Sequence, residues 1–240
     1  MDPGSVPPGR HWAWISVAGV VLYVAIDACM AVLRPDVSLL HDAESDYGNG
    51  AWSWLMDLNF LIRAVSSIAA VLAIAPLVSV SLRARVTNAR PMSASRGIGE
   101  TTGTTAARVG LGLIVAWTLA SGLLAFLPDD LRGATVTAHG RVHLLAALVA
   151  FASIGVGTIV VSRVCRTPSI GEAPRGSSSA SRSAGVVSML LLVSTGLRER
   201  ALGGLWERCF LGLELAWLLI VSLWVAVLPR VRPGPLGAAD

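Results

Sequence analysis

The sequence contains no lysine, and charged residues of any kind make up only 14% of its 240 positions. Hydrophobic residues account for 54%, and the mean hydropathy is +0.67. A water-soluble globule of this length needs more polar surface than this composition provides. The scarcity of charge therefore excludes one or two ordinary soluble domains and favours a membrane protein.

Two further scarcities narrow the range of functions. Three cysteines are too few for a disulfide framework, although Cys29 and Cys209 fall on the same predicted side of the membrane, so a bond between them stays open. The basic residues are all arginines, and they form neither a stripe interleaved with aromatic residues nor a nucleic-acid-binding motif. The pI near 9.6 therefore does not indicate a nucleic-acid partner.

Six long apolar stretches predict membrane-spanning helices, since about 20 apolar residues cross a bilayer. The stretches are continuous rather than alternating, which excludes a transmembrane β-barrel. We expect an all-α fold, a polytopic six-transmembrane-helix bundle, with helices near residues 12–33, 53–82, 108–127, 141–163, 184–197 and 205–228. The membrane domain then covers residues 12–228, with cytoplasmic tails at 1–11 and 229–240 and flexible cytoplasmic loops at 83–107 and 164–183.

The arginines orient this bundle. Twelve fall on the side of the two termini and six on the other side, while Arg63 lies within a span. The positive-inside rule places the more basic side, and therefore both termini, in the cytoplasm. Basic content made only of arginine fits a GC-rich bacterial genome, so we expect a multi-pass protein of a bacterial plasma membrane in contact with the lipid bilayer.

Ionisable residues lie inside several of the apolar stretches. They are Asp27, Asp57, Arg63, His143 and Glu214. A charged group at the bilayer centre costs about 2.5–3.5 kcal/mol on insertion scales, so each of these residues is a functional-site candidate or one half of a structural pair. We expect Arg63 to pair with an acid inside the bundle, either Glu214 or Asp57.

A first group of binding candidates leads into the second helix. It comprises Glu44, Ser45, Asp46, Tyr47, Asn59 and Arg63. Asn59 and Arg63 are four residues apart and share one helix face, whereas Asp57 points about 200° away from Asn59. This face is interpreted either as one wall of a polar pocket or as a structural contact between helices.

A second group lies between the third and fourth helices, at Asp129, Asp130, Thr137, His139 and His143. Two histidines at positions i and i+4 can face one divalent metal ion such as Zn²⁺ when a carboxylate is near. The alternative is that His139 caps the loop and His143 forms a hydrogen bond inside the bundle. Catalytic candidates are Asp57, His139, His143 and Glu214, and metal-binding candidates are His139 and His143.

The last helix supplies the third group, in which Glu207 and Arg208 lie near its start and Glu214 follows one heptad after Glu207. All three groups fall on the predicted outer side of the membrane. We therefore expect an outward-facing intramembrane polar pocket, built from the side chains of Asp46, Asn59, Asp130, His139, His143 and Glu207.

Taken together, three short motifs carry a family resemblance. The segments ESDYG and WLMDLNFLIR, FLPDD and HGRVH, and GLWER and LELAW occur in this order along the chain. In these features the chain resembles the DUF998 family of bacterial integral membrane proteins. The resemblance implies a six-helix bundle and no settled activity, and the long polar loop at 86–107 departs from the family pattern. The matching residues are Ser45, Tyr47, Gly48, Asp130, Thr137, His139, His143, Glu207 and Arg208.

Three function classes stay open at this level. The first is a non-enzymatic protein that binds or transports a lipid or small amphiphile. The second is a membrane-embedded lipid hydrolase or transferase that uses the histidine pair and carboxylates. The third is an isoprenoid cyclase, in which a protonated carboxyl of Asp27, Asp57 or Glu214 acts as the acid. In that case the tryptophans at positions 54, 206 and 217 would stabilise cationic charge. The oligomeric state is not predicted.

Overall fold

The computed structural model describes residues 9–88, 96–130, 135, 137–164 and 202–227. This part of the chain is helical and contains no β-strand. Its five α-helices are α1 (Arg10–Leu33), α2 (Ser53–Asn88), α3 (Arg96–Leu124), α4 (Ala138–Val164) and α5 (Gly203–Val227), and a 3₁₀ helix spans Glu44–Gly48. The all-α prediction is confirmed for these residues.

Each of the five α-helices contains a stretch that is long and apolar enough to cross a membrane. The span predicted at 184–197 lies outside the described residues, as do the loop residues 165–183 and most of both predicted tails. Many large apolar side chains of α1 and α4 point away from the bundle, which is the arrangement expected for helices that face lipid.

The predicted cytoplasmic loop at 83–107 needs a correction. α2 continues to Asn88 and α3 already begins at Arg96, so residues 83–88 and 96–107 are helical rather than a flexible linker. The reason is that helical hydrogen bonds are local and persist beyond the apolar run. The end of that run marks where the hydrocarbon can end, and not where the helix ends.

The architecture of the bundle follows from which helices pack against each other. α1 packs against α2 and α5, α2 also packs against α3, and α3 packs mainly against α4. The α1–α2 loop, the α3–α4 loop and the start of α5 meet at one end of the bundle, which we call the polar end. There the Leu205 N–H donates to the Leu40 carbonyl at 3.1 Å, and Ser45 contacts Asp129 across the two loops.

Away from the polar end, hydrogen bonds between a tryptophan and a serine connect neighbouring helices. The Trp117 Nε1–H of α3 donates to Ser67 Oγ of α2 at 2.9 Å, and the Trp217 Nε1–H of α5 donates to Ser162 Oγ of α4 at 3.1 Å. Each interhelical hydrogen bond of this kind stabilises a membrane bundle by about 0.6–2 kcal/mol. These contacts fix α2 and α5, the two helices that carry most of the candidate site.

Candidate functional site

The 3₁₀ helix is folded back into the polar end of the bundle rather than lying on its surface. Glu44 is 2% exposed and Tyr47 is fully buried. Asp46 holds the turn closed, because its carboxylate accepts the Ala43 N–H at 3.0 Å. Gly50 then takes a positive φ of 75°, which a glycine adopts without strain. The loop can therefore insert Glu44 and Tyr47 between the helices.

Around this segment lies a set of polar side chains from three helices, which we call the buried cluster. Its members are Tyr23 and Asp27 of α1, Glu44 and Tyr47 of the 3₁₀ helix, Asn59 and Arg63 of α2, and Glu207 and Arg208 of α5. Four of these, Glu44, Tyr47, Asn59 and Arg63, were predicted binding residues in the segment that leads into and includes the second helix, and Glu207 and Arg208 were predicted at the start of the last helix. Tyr23 was not among them.

At the centre of the buried cluster, one tyrosine hydroxyl is hydrogen-bonded to both a glutamate and an arginine. The Tyr23 hydroxyl donates to Glu44 Oε1, and Arg63 Nη1 donates to the same hydroxyl oxygen at 3.3 Å. Tyr23 and Arg63 are 2% and 1% exposed. Glu44 is thus connected to Arg63 through one hydroxyl group, although the 3₁₀ helix and α2 contribute them from different parts of the chain.

Arg63 is also enclosed by aromatic rings. Its Cζ lies 4.8 Å from the ring centroid of Trp117, 4.9 Å from that of Phe60 and 5.7 Å from that of Tyr23. Cation–π contacts of this kind stabilise a desolvated guanidinium by up to about 2 kcal/mol. The predicted pairing of Arg63 with Glu214 or Asp57 stays a prediction, and the hydrogen bond that the structure shows for the Arg63 side chain among the described residues goes to Tyr23.

Two further acids contact Glu44. The side chain of Asp27 is within hydrogen-bonding reach of the Glu44 carboxyl, and the Glu207 carboxylate accepts the backbone N–H of Glu44. Burial, reinforced by repulsion from Asp27, raises the pKa of Glu44 to about 8, and the nearby Arg63 charge opposes this rise. Glu44 is therefore protonated at neutral pH for most of the time.

Arg208 fastens the loop to α5. Its Nη1 donates to the backbone carbonyls of Asp42 at 2.8 Å, Leu39 at 3.2 Å and Gly204 at 3.2 Å. Its Cζ lies 5.5 Å from the Tyr47 ring centroid. Arg208 therefore holds the 3₁₀ segment in place, and its side chain cannot turn away without losing these contacts.

Several atoms of the buried cluster have no hydrogen-bond partner among the described residues. They include both polar atoms of Asn59, Nε and Nη2 of Arg63, and Oε2 of Glu44. Asn59 is fully buried and lies one turn from Arg63 on the same face of α2. A buried polar group without a partner costs about 1–3 kcal/mol, so this concentration of donors and acceptors requires a physical reason.

A second polar group, the loop junction, connects the two loops at the polar end and comprises Ser45, Asp129, Asp130, Thr137 and His143. The Ser45 hydroxyl donates to Asp129 Oδ2 at 2.7 Å, and His143 Nε2 lies 3.6 Å from the same oxygen. The other ring nitrogen of His143 is 2.7 Å from the Leu127 carbonyl oxygen. Ser45 and His143 thus both contact Asp129 rather than each other, so they do not form a nucleophile–base pair.

Asp130 and Thr137 build the start of α4. Thr137 donates to Asp130 from both its backbone N–H and its hydroxyl, each at 2.7 Å, and its hydroxyl oxygen accepts the Gly140 N–H at 3.0 Å. The hydrogen bonds from Thr137 lower the pKa of Asp130. This is an N-cap arrangement, and it explains why α4 begins at Ala138, three residues before the predicted start.

The remaining candidates are dispersed. His139 is exposed, whereas His143 is 4% exposed, so the two side chains differ in their access to the surface. Asp57 is half-buried on the side of α2 away from Asn59, and Glu214 is 1% exposed two turns deeper in α5 than Glu207. Among the described residues no three His, Cys, Asp or Glu side chains are arranged to hold a metal ion, and Cys29 and Cys209 are exposed free thiols.

The residues that we expected in one pocket are therefore divided between the buried cluster and the loop junction. Asn59 and Glu207 belong to the buried cluster, Asp130 and His143 belong to the loop junction, and Asp46 caps the loop between them. Sequence reasoning missed Tyr23 and Trp117, the partners of Arg63. Two features of the sequence could have predicted these residues: a single tyrosine one turn from Asp27, and a single tryptophan within the apolar part of α3.

Comparison with known proteins gives one positive result. No curated protein and no solved structure matches the chain. The family described as protein of unknown function, DUF998, matches residues 17–90 and 92–224, and both polar groups lie within these ranges. With five helices apolar enough to cross a bilayer, the chain is an integral membrane protein. Because the match covers most of its length, the chain belongs to the DUF998 family, as its motifs indicated.

Proposed function

We propose that this protein binds or transports a lipid or small amphiphile in a bacterial plasma membrane, with the polar head group of the ligand reaching the buried cluster. In this proposal the chain crosses the membrane six times, both termini are cytoplasmic and the polar end faces outward. The twelve-to-six distribution of arginines supports that orientation. The apolar part of the ligand would remain in contact with the bilayer.

The observation that carries the proposal is the buried amide of Asn59. This side chain is fully buried, and neither its oxygen nor its nitrogen has a hydrogen-bond partner among the described residues. One turn away, Arg63 has two nitrogens in the same condition. A head group with both acceptor and donor atoms, such as an amide or a phosphate ester that also carries a hydroxyl group, would pair with these groups and offset their desolvation.

The two enzymatic hypotheses have less support. The hydrolase hypothesis needs both histidines at one point, but His139 is exposed and both ring nitrogens of His143 already have contacts. The cyclase hypothesis needs an aromatic cavity, but Trp54 is 57% exposed and Trp217 is hydrogen-bonded to Ser162. The aromatic rings that do converge enclose Arg63 instead.

The test is a substitution that separates binding from stability. Asn59→Leu keeps the branching and the number of heavy atoms of the side chain and removes the unpartnered polar atoms. We expect the ligand-free variant to be as stable as the wild-type protein or more stable, because replacing an unsatisfied buried amide by an apolar group removes a desolvation cost. We also expect it to lose the amphiphile that co-purifies with the wild-type protein, as measured by native mass spectrometry from mild detergent.

Asp57→Asn is the matched control, since it lies two residues away on α2 and outside the buried cluster. It should keep the amphiphile at the wild-type level. Equal retention of the amphiphile by wild-type protein and Asn59→Leu would refute the proposed site, and so would a wild-type protein that carries no amphiphile.

A further inference from the structure

Two carboxyl groups meet inside the buried cluster. Asp27 of α1 and Glu44 of the 3₁₀ helix are within hydrogen-bonding reach of each other, and Glu44 is 2% exposed. Asp27 Oδ1 and Glu44 Oε2 are both buried acceptor atoms without a donor among the described residues. Two carboxylates can only accept hydrogen bonds, so a hydrogen bond between these groups requires that one of them carries a proton.

The surrounding charges do not remove this requirement. The titratable and charged groups around the pair are Tyr23 of α1, Asp46 and Tyr47 of the loop, Arg63 of α2, and Glu207 and Arg208 of α5. If Asp27, Glu44, Asp46 and Glu207 were all ionised, they would exceed the two arginines by two negative charges. An uncompensated charge at a buried position is costly, and each bound proton reduces this excess by one.

The two arginines are also held by other contacts. Arg63 is enclosed by three aromatic rings and donates to the Tyr23 hydroxyl, and Arg208 donates to three backbone carbonyls. Neither guanidinium is hydrogen-bonded to a carboxyl oxygen of the pair among the described residues. The donor between the two carboxyl groups must therefore be a proton or a cationic group from outside the chain.

We propose that Asp27 and Glu44 form a buried proton-binding site, in which the two carboxyl groups share a single exchangeable proton. The proton forms an O–H bond on one carboxyl and a hydrogen bond to the other, and on release it passes to water at the polar end. The second oxygen of Glu44 accepts the Tyr23 hydroxyl, which links the site to Arg63. This site exists without an amphiphile, so it does not rest on the function proposed above.

Burial and the neighbouring Asp27 raise the pKa of Glu44 to about 8, which places exchange of this proton near physiological pH. Release of the proton leaves two adjacent carboxylates in a region of low dielectric constant. Their repulsion acts between α1 and the 3₁₀ helix, so loss of the proton weakens the contact that holds this segment in the bundle.

Infrared spectroscopy of the purified protein in lipid nanodiscs tests the proposal. The measured quantity is the carbonyl stretching band of protonated carboxyl groups in pH-difference spectra, recorded well below and well above the pH of about 8 at which Glu44 is expected to titrate. The proteins are the wild type, Glu44→Gln, Asp27→Asn and, as a control distant from the pair, Asp57→Asn.

We expect a protonated-carboxyl band in the wild-type protein that titrates near neutral to mildly alkaline pH and is smaller in Glu44→Gln. In Asp27→Asn the midpoint should move to lower pH, because the repulsion from the second carboxylate is gone. Asp57→Asn should leave the midpoint unchanged. Absence of the band below the midpoint, or an unshifted midpoint in Asp27→Asn, would overturn the shared proton, and Asp27→Asn decides the question even if Glu44→Gln does not fold.

Discussion

The buried cluster and the loop junction contain similar side chains, but they differ in how completely these are hydrogen-bonded. In the loop junction Asp130 accepts two hydrogen bonds from Thr137, and His143 has contacts at both ring nitrogens. In the buried cluster Asn59 has no partner at either polar atom among the described residues. A satisfied group stabilises the fold by itself, whereas an unsatisfied buried group indicates a role that involves another molecule.

Their positions reinforce this difference. The loop junction lies between two loops, with Thr137 exposed and Asp129 half-buried, and its hydrogen bonds determine where α4 begins. The buried cluster lies between α1, α2 and α5, where Arg63 is 1% exposed. Similar polar residues at one end of a membrane bundle can therefore have different roles. We interpret the loop junction as structural and the buried cluster as the site.

The largest expected effect comes from Arg63→Leu. It removes the cation enclosed by three aromatic rings and leaves the acids around Glu44 without their nearest positive charge. Breaking a buried charge interaction in this way costs about 3–5 kcal/mol. The melting temperature in detergent should fall strongly, and the double variant with Glu44→Gln should recover part of the loss. Wild-type stability of Arg63→Leu would contradict the role assigned to this residue.

The second prediction is a pH dependence specific to the buried cluster. The pKa of Glu44 is raised from 4.5 to about 8, so the folded state binds a proton that the unfolded state has released. The free energy of unfolding should therefore be highest below about pH 4.5 and fall as the pH rises to about 8, by an amount on the order of a few kcal/mol.

In Glu44→Gln this decline should become smaller. The loop junction provides the contrast, because the lowered pKa of Asp130 makes its contribution fall only at acidic pH, as the pH drops through the folded-state pKa. A wild-type stability that rises between mildly acidic and mildly alkaline pH would reverse the expected sign and exclude a protonated Glu44.

Thr137→Val should have a smaller effect that is confined to the loop junction. It removes the hydroxyl that accepts the Gly140 N–H and donates to Asp130. Loss of an N-cap costs about 0.5–2 kcal/mol. Thermal unfolding should show this loss, while native mass spectrometry should show unchanged amphiphile retention. A loss of amphiphile comparable with that of Asn59→Leu would assign the loop junction to the binding site and remove the distinction between the two regions.

The smallest effect is expected for His139→Ala. His139 is exposed, and substitutions of this kind usually change stability by less than about 0.5 kcal/mol. Addition of Zn²⁺ should shift the melting temperature of the wild-type protein and of this variant equally. A zinc-dependent stabilisation present only in the wild-type protein would restore the histidine pair as a metal site.

Much of the fold could be predicted from composition alone. Continuous apolar runs require helices in a bilayer, because every backbone polar group must be paired within the segment, and five of the six predicted spans correspond to helices. The helix ends were less predictable. α3 begins twelve residues before its predicted start because local hydrogen bonding, and not hydropathy, determines where a helix begins.

The sequence predicted which residues belong to the site better than it predicted how they contact one another. The i, i+4 spacing correctly put Asn59 and Arg63 on one buried face, and the motif at 44–47 contains Glu44 and Tyr47, both of which are buried. The partner of Arg63 could not be predicted, because no local pattern shows that a loop acid reaches α1 and bonds to Tyr23. Ser45 and Glu44 are adjacent in sequence, yet they contact different groups because a 3₁₀ helix turns consecutive side chains by about 120°.

An experimental density map of the protein in lipid nanodiscs, at a resolution that shows side chains and bound lipid, tests the central claim most directly. We expect non-protein density with an apolar tail whose head group lies within hydrogen-bonding distance of the Asn59 amide and the Arg63 guanidinium. The loop junction should contain only protein contacts. A map in which Asn59 is hydrogen-bonded to protein alone and bound amphiphile occurs only elsewhere would contradict the assignment of the buried cluster as the binding site.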